Sequence, residues 1–112
     1  MELQPSKNRG LATIKKIGGV KELEYTPMKG VVVDGEDILV VKTGITIFAM
    51  GNTCTHRGCK LSGGKLEGES VRCPCHGSMF NIRTGEVMKG PAKVPEPSYT
   101  VIVENDEFSI DL

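Results

Sequence analysis

The cysteines and histidines of this 112-residue chain are confined to one short stretch. All four cysteines and both histidines lie between residues 54 and 76, in the segments "CTHRGC" (54–59) and "CPCHGS" (73–78). Placement as ordinary core or surface residues would scatter them along the chain. The fold must therefore bring two loops together, so that these side chains build one site.

Short β-branched runs and tight turns surround these two segments. Residues 31–33 and 38–41 predict a hairpin, because Asp34 and Gly35 supply the positive φ that a primed turn requires. Residues 80–88 and 99–112 repeat the pattern of strand, turn and strand, and residues 60–72 form a glycine-rich connection. Three prolines exclude a central strand from residues 89–98. The pattern predicts an all-β chain that carries two functional loops.

Composition and charge exclude several classes of protein. Lys plus Arg equals Asp plus Glu, 14 against 14, so no excess of positive charge indicates nucleic acid as a partner. No run approaches the ~20 apolar residues of a membrane span, and residues 1–19 contain no apolar stretch of signal-peptide length. We expect one soluble cytoplasmic domain at residues 10–112 without a membrane anchor, preceded by a flexible tail at residues 1–9.

Four cysteines in a chain that we expect to stay in the cytoplasm indicate metal or redox chemistry, since structural disulfides are uncommon there. With Cys59 and Cys75 left over, each loop offers one cysteine and one histidine, as Cys54-x-His56 and Cys73-x-x-His76. Structural zinc sites usually take both thiolates from one loop and both imidazoles from another. Three classes stay open: a one-electron carrier, a structural Cys₂His₂ zinc module, and a dithiol redox enzyme that uses Cys73 and Cys75.

The segments "CTHRGC" and "CPCHGS" resemble the two cluster-binding boxes of the Rieske iron–sulfur proteins. The segment "FNIRTGEV" (80–87) resembles the strand after the second box, and "GPA" (90–92) resembles the proline loop beside the cluster. The resemblance covers roughly residues 30–112 and is closest to the soluble archaeal ferredoxins of the sulredoxin type. It implies a small antiparallel β-sandwich or barrel of the Rieske type, with a cluster-binding subdomain of two loops.

The resemblance also implies a cofactor and its ligands. Cys54 and Cys73 would bind one iron of a [2Fe–2S] cluster, and His56 and His76 would bind the other. Ser78 matches the serine whose hydroxyl donates to a bridging sulfide in the respiratory branch of the family. The site would therefore hold the cluster through two thiolates and two imidazoles.

Two further positions match the respiratory branch of the family, and a third departs from it. Cys59 and Cys75 match the pair that forms a disulfide between the two loops there. Phe80 stands where that branch has a tyrosine whose hydroxyl bonds a ligand sulfur. We therefore expect a Cys59–Cys75 bridge and a cluster that lacks the tyrosine hydrogen bond.

The implied function is that of a soluble, monomeric one-electron carrier between redox partner proteins. Nothing in the chain indicates a substrate pocket or a general acid–base pair, so we expect an electron-transfer protein and not an enzyme. The alternatives are the zinc module and a ferredoxin component of an oxygenase or nitrite reductase system. The sequence does not identify the electron donor or acceptor.

Overall fold

The computed structural model describes residues 14–56 and 58–112, which are built mainly from short strands. The strands are β1 (Ile14–Gly19), β2 (Met28–Val33), β3 (Glu36–Thr43), β4 (Thr46–Gly51), β5 (Lys65–Glu67), β6 (Ser70–Arg72), β7 (Met79–Asn81), β8 (Val87–Lys89), β9 (Ser98–Glu104) and β10 (Glu107–Asp111). Two short 3-10 helices cover Val20–Leu23 and Leu61–Gly63. Within these residues, no helix has the length and apolar character needed to cross a membrane.

The strands form two antiparallel sheets of different size. The large sheet has the order β1-β10-β9-β4-β3-β2, and the small sheet has the order β5-β6-β7-β8. The small sheet is built from the chain around and between the two functional loops. The predicted all-β architecture is confirmed, and the site-bearing subdomain contains a sheet of its own beside its loops.

Strand β3 lies between two hydrophobic cores. Leu39 and Val41 pack in the core that also holds Cys54 and Cys73. Ile38 and Val40 pack in the other core, with Phe108 and Ile110 among others. An uninterrupted apolar run is expected for a strand that is buried on both faces. The core on the side of the functional loops thus supports the site directly.

The predicted hairpins of the large sheet are present. Asp34 and Gly35 connect β2 to β3 with φ values of 50° and 81°. Asn105 and Asp106 connect β9 to β10 with φ values of 53° and 63°. Residues 90–97 contain no strand, as their prolines predicted. The turn residues therefore fix where the strands end.

The connection at residues 60–72 differs from the sequence interpretation, because it contains the hairpin of β5 and β6. Each of these strands has three residues and a single strongly apolar side chain, Leu66 or Val71. These two residues are paired with each other, and Val71 is fully buried. Strands this short have no periodic pattern in the sequence, so tertiary packing determines them. The predicted boundary between residues 9 and 10 lies outside the described residues.

Candidate metal centre

The two cysteine- and histidine-bearing segments form loops that are closed by the same two backbone hydrogen bonds. Loop 1 (54–59) follows β4, and loop 2 (73–78) connects β6 to β7. In loop 1 the N–H of Cys54 donates to the carbonyl of Cys59 at 2.7 Å, and in loop 2 the N–H of Cys73 donates to that of Ser78 at 2.8 Å. A second hydrogen bond joins the fifth residue of each loop to the carbonyl of the first. The scaffold therefore presents two equivalent turns.

The fifth residue of each loop is a glycine, for a conformational reason. Gly58 and Gly77 have φ values of 78° and 80°, in the left-handed region that side chains disfavour. The N–H of Gly58 donates to Cys54, and that of Gly77 donates to Cys73. The turn therefore requires a glycine at positions 58 and 77.

The thiols and imidazoles of the two loops differ in exposure. Cys54 and Cys73 are each 2% exposed and belong to one hydrophobic core. His56 is half-buried and His76 is exposed. The centroids of the two imidazole rings lie 5.4 Å apart, with the rings nearly perpendicular. The structure therefore brings the two predicted histidines together and buries the two predicted cysteine ligands in one core.

Cys59 and Cys75 form a disulfide that joins loop 1 to loop 2, with their Cα atoms 6.4 Å apart. This is the bridge that the resemblance implies. The sulfur atoms of Cys59, Cys73 and Cys75 all lie within 4.8 Å of one another. A disulfide sulfur offers no thiolate to a metal, so this trio is not a ligand set. Cys54 and Cys73 remain as the thiol donors of the two loops.

Ser78 connects loop 2 to the segment that follows β8. Its side chain is fully buried, and its Oγ accepts a hydrogen bond from the N–H of Ala92 at 2.9 Å. Ala92 itself is buried in the core that holds Cys54 and Cys73. Because the hydroxyl accepts this bond, its own proton stays available for another acceptor. The segment at residues 90–92 is thereby held against the site.

The exit from loop 1 is anchored to the large sheet by Asn52. This buried side chain accepts a hydrogen bond from the N–H of Ser62 at 2.8 Å and donates to the Asp37 carboxylate at 3.0 Å. Lys60 forms an ion pair with the same carboxylate. The hydrogen bonds from Lys60 and Asn52 lower the pKa of Asp37. Loop 1 is therefore tied to β3 on one side.

Residues 94–96 hold the other side of loop 1 through Thr55, which lies between Cys54 and His56. The Thr55 hydroxyl donates to the carbonyl of Val94 at 2.6 Å. The backbone N–H of Thr55 donates to the Glu96 carboxylate. The segment after the proline loop thus fixes the backbone between the first two predicted ligands. Sequence reasoning did not identify Glu96.

Glu96 is a buried carboxyl group without a charged partner in the described residues. Its side chain is 4% exposed, and its Oε2 has no hydrogen-bond partner within residues 14–56 and 58–112. Burial raises the pKa of Glu96 to about 7, and the hydrogen bond from Thr55 offsets only part of this effect. A glutamate between two prolines in the sequence has the pattern of an exposed loop. Only the packed structure reveals its burial.

Replacing Glu96 with glutamine should stabilise the protein above neutral pH. The folded-state pKa of Glu96, about 7, exceeds the ordinary value of 4.5. The contribution of this carboxyl group to stability is therefore fully present below pH 4.5 and is lost as the pH rises through 7. The full pKa shift corresponds to about 3 kcal/mol in the free energy of unfolding, and the unpaired amide of glutamine offsets part of this gain. We expect a gain on the order of 2 kcal/mol at pH 8, or roughly 10 °C in the thermal midpoint, and little change at pH 5.

Circular dichroism at one scan rate, at pH 5 and pH 8, measures this difference. The matched control is Glu24→Gln, because Glu24 is exposed and lies outside the site. An equal shift of Glu96→Gln at both pH values would contradict a buried, titrating carboxyl group.

Residues 13–100 match the Rieske [2Fe-2S] domain family. The ferredoxin component of the naphthalene 1,2-dioxygenase system of Pseudomonas putida is 35% identical over 83 residues, which cover 74% of this chain and 80% of that protein. The ferredoxin component of biphenyl 2,3-dioxygenase from Rhodococcus jostii is 40% identical over 77 residues, which cover 69% of this chain and 72% of that protein.

Two solved ferredoxin structures are also similar to this chain. The ferredoxin of carbazole 1,9a-dioxygenase from Nocardioides aromaticivorans superposes with a TM-score of 0.84 at 28% identity, covering 88% of this chain and 97% of that one. A ferredoxin in a complex with the oxygenase of carbazole 1,9a-dioxygenase gives a TM-score of 0.82 at 29% identity, covering 88% and 93%.

Proposed function

Because this chain belongs to the Rieske [2Fe–2S] domain family, it binds a [2Fe–2S] cluster and carries electrons, and we propose that four side chains hold that cluster. Cys54 and Cys73 would bind one iron, and His56 and His76 would bind the other. The observation that carries this assignment is the pair of equivalent loops, each of which supplies one buried thiol and one imidazole. The centroids of the two histidine rings lie 5.4 Å apart.

The donor set fits this cofactor chemically. Two thiolates and two neutral imidazoles balance the +2 charge of two ferric irons and two sulfides, whereas four thiolates would leave a net charge of −2. When bound, such a cluster takes up and returns one electron, at roughly −150 to +300 mV against about −400 mV for plant-type ferredoxins. The buried cysteines keep water from one side of the site. The more exposed imidazoles provide the side on which a partner approaches.

The dithiol alternative is not supported by the arrangement of the cysteines. A dithiol enzyme using Cys73 and Cys75 would pair these two residues, but Cys75 is bonded to Cys59. The zinc alternative is not favoured by the family match, since the family is defined by a [2Fe–2S] cluster. The carrier function is therefore retained.

The electron acceptor is proposed from the relatives. The naphthalene and biphenyl relatives are ferredoxin components of dioxygenases, and one similar ferredoxin was solved in a complex with its oxygenase. We propose that this chain acts as a monomer in the cytoplasm and delivers electrons to the oxygenase component of such a system. The resemblance to archaeal ferredoxins of the sulredoxin type stays a prediction.

Metal and sulfide analysis of the purified protein tests the proposed function. We expect a red-brown protein with iron and acid-labile sulfide in equal amounts and a reversible one-electron couple in voltammetry. Protein that contains zinc and no sulfide would contradict the proposal. Stopped-flow reduction of candidate oxygenase components from the native host would then identify the acceptor.

Replacing Phe80 with tyrosine should raise the reduction potential. Phe80 is fully buried on β7 and shares its core with Cys54 and Cys73. A hydroxyl at this position would donate to a ligand sulfur, and that bond strengthens when the site gains an electron. A hydrogen bond to a charged acceptor contributes about 1.5–3 kcal/mol, and the part gained on reduction predicts a rise on the order of 50 mV in voltammetry.

Ser78→Ala is the matched variant, and we expect it to change the reduction potential in the opposite direction. It removes a buried hydroxyl proton from the site, so the potential should fall by a similar or larger amount. It also removes the acceptor for the N–H of Ala92, so some loss of stability should accompany the shift. A Phe80→Tyr protein with an intact cluster and an unchanged or lower potential would show that residue 80 does not face a ligand sulfur.

A further inference from the structure

The charges of this neutral chain are segregated between two parts of the sequence. Residues 54–93, which contain both functional loops and the small sheet, carry seven Lys or Arg and three Glu, a net charge of +4. The remaining residues carry seven Lys or Arg and eleven Asp or Glu, a net charge of −4. The overall balance of 14 against 14 therefore hides a basic region around the candidate metal centre.

The small sheet separates apolar and basic side chains onto its two faces. Its strand register places Leu66, Val71, Phe80 and Val87 in one row across β5 to β8. All four belong to or pack against the core that holds the site cysteines. Because side chains alternate along a strand, the positions next to Leu66, Val71 and Phe80 point to the opposite face. This face carries the next row across the sheet.

The row on the opposite face is basic. The register aligns Lys65 with Arg72 and Arg72 with Met79. A register shift between Met79 and Phe80 then pairs Met79 with Lys89, whose charge helps to lower the pKa of Glu67 beside Arg72. We call these four residues the basic row. Lys65 and Lys89 are exposed, and neighbouring strands lie about 4.8 Å apart, so the row spans about 14 Å. This length suits a protein surface more than a single small ion.

Most of the positive charge of the basic row is not neutralised. Arg72 forms a two-point ion pair with Glu67, at 2.5 and 2.8 Å. Lys65 and Lys89 form no salt bridge with any residue among 14–56 and 58–112. The hydrogen bond from Arg72 lowers the pKa of Glu67, and the charges of Lys89 and Lys65 add to this effect. Three cations against one carboxylate leave this face with a net charge of +2.

The basic row borders loop 2, which carries His76. Arg72 directly precedes Cys73, and its guanidinium nitrogen lies 3.4 Å from the position that a Cβ on Gly77 would occupy. A groove of about 460 Å³ lies between the basic row and loop 2, lined by Lys65, Arg72, Pro74 and Gly77 among others. A partner on this face would therefore lie beside the exposed imidazole.

We propose that the outer face of the small sheet is the docking surface for an acidic face of the electron-transfer partner. Opposite charges guide encounter and fix orientation, and here they would hold the partner next to His76. The occupant is an acidic protein surface, because the row carries net positive charge and borders the loop through which electrons would leave. The proposal rests on the proposed function.

A gold electrode coated with a carboxylate-terminated monolayer provides a defined acidic surface for the test. The holoprotein should adsorb on it at low ionic strength and exchange electrons directly. The variant Lys65→Glu with Lys89→Glu should lose at least about ten-fold in exchange rate or coverage. The matched control, Lys21→Glu with Lys42→Glu, changes the net charge equally outside the small sheet and should behave as the wild type.

Solution voltammetry with a diffusing mediator tests the proposed function separately from the docking surface. The wild type and both variants should show the same reversible couple there. Absence of any couple would overturn the proposed function. A normal couple with equal losses in both variants, or with no loss in either, would overturn the docking surface alone. Binding of the wild type to anionic phospholipid vesicles that exceeds its binding to the carboxylate surface would also overturn it.

Discussion

Replacing His76 with cysteine should lower the reduction potential by about 0.1 V. The substitution exchanges a neutral imidazole for a thiolate and adds one negative charge to the site. At ~5 Å and an effective dielectric constant of ~20, this charge opposes the incoming electron by about 3 kcal/mol, which corresponds to about 0.1 V for one electron. Voltammetry of the loaded protein measures the shift, and the visible spectrum verifies that a [2Fe–2S] cluster is still present.

The same substitution at His56 is the matched experiment, because the two imidazoles occupy equivalent loops and lie 5.4 Å apart. His56→Cys should lower the potential by a similar amount, and the double variant should approach the range of plant-type ferredoxins. If either loaded single variant keeps the wild-type potential, that histidine is not a ligand. If one variant does not load, the other still decides the question.

Removing the bridge between Cys59 and Cys75 should destabilise the protein by about 3 kcal/mol. The two residues are 16 positions apart, and closing a loop of this length restricts the unfolded chain by about that amount. The bridge also fastens loop 1 to loop 2, so cluster loss should become faster. Thermal unfolding and the rate of bleaching of Cys59→Ser with Cys75→Ser, compared with the wild type, measure both effects.

Alkylation under denaturing, non-reducing conditions is the control for this prediction. After cluster removal, Cys54 and Cys73 should be modified in the wild type, and the bridged pair should be protected. Modification of all four cysteines would show that the bridge is absent from the isolated protein. An unchanged stability of the double variant, with the bridge present in the wild type, would contradict its stabilising role.

The residues proposed as ligands stand out in the sequence because their types are rare and their spacing is specific. Cys54, His56, Cys73 and His76 stand in two short segments, and no ordinary structural role collects such residues in this way. Turn chemistry likewise predicted the hairpin at Asp34 and the absence of strands among the prolines after residue 89. These features are local, so neighbouring residues determine them.

The features that escaped prediction depend on contacts between distant parts of the chain. The β5–β6 hairpin exists because Leu66 and Val71 pack on a core supplied by other strands. Glu96 is buried because its segment folds back onto Thr55, 41 positions earlier in the chain. The basic row arises from strand register, which aligns Lys65 with Lys89 across the two strands that carry Arg72 and Met79. No local pattern marks any of these contacts.

The most direct test of the central claim is electron–nuclear double resonance on the reduced protein with ¹⁵N-labelled histidine. If His56 and His76 bind one iron of the cluster, their ligating nitrogens should couple to the electron spin of the reduced cluster. We predict couplings from two distinct histidine nitrogens, and the loss of one of them in His76→Cys. A reduced cluster without histidine couplings would contradict the assignment of the ligands and, with it, the account of how this chain sets its potential.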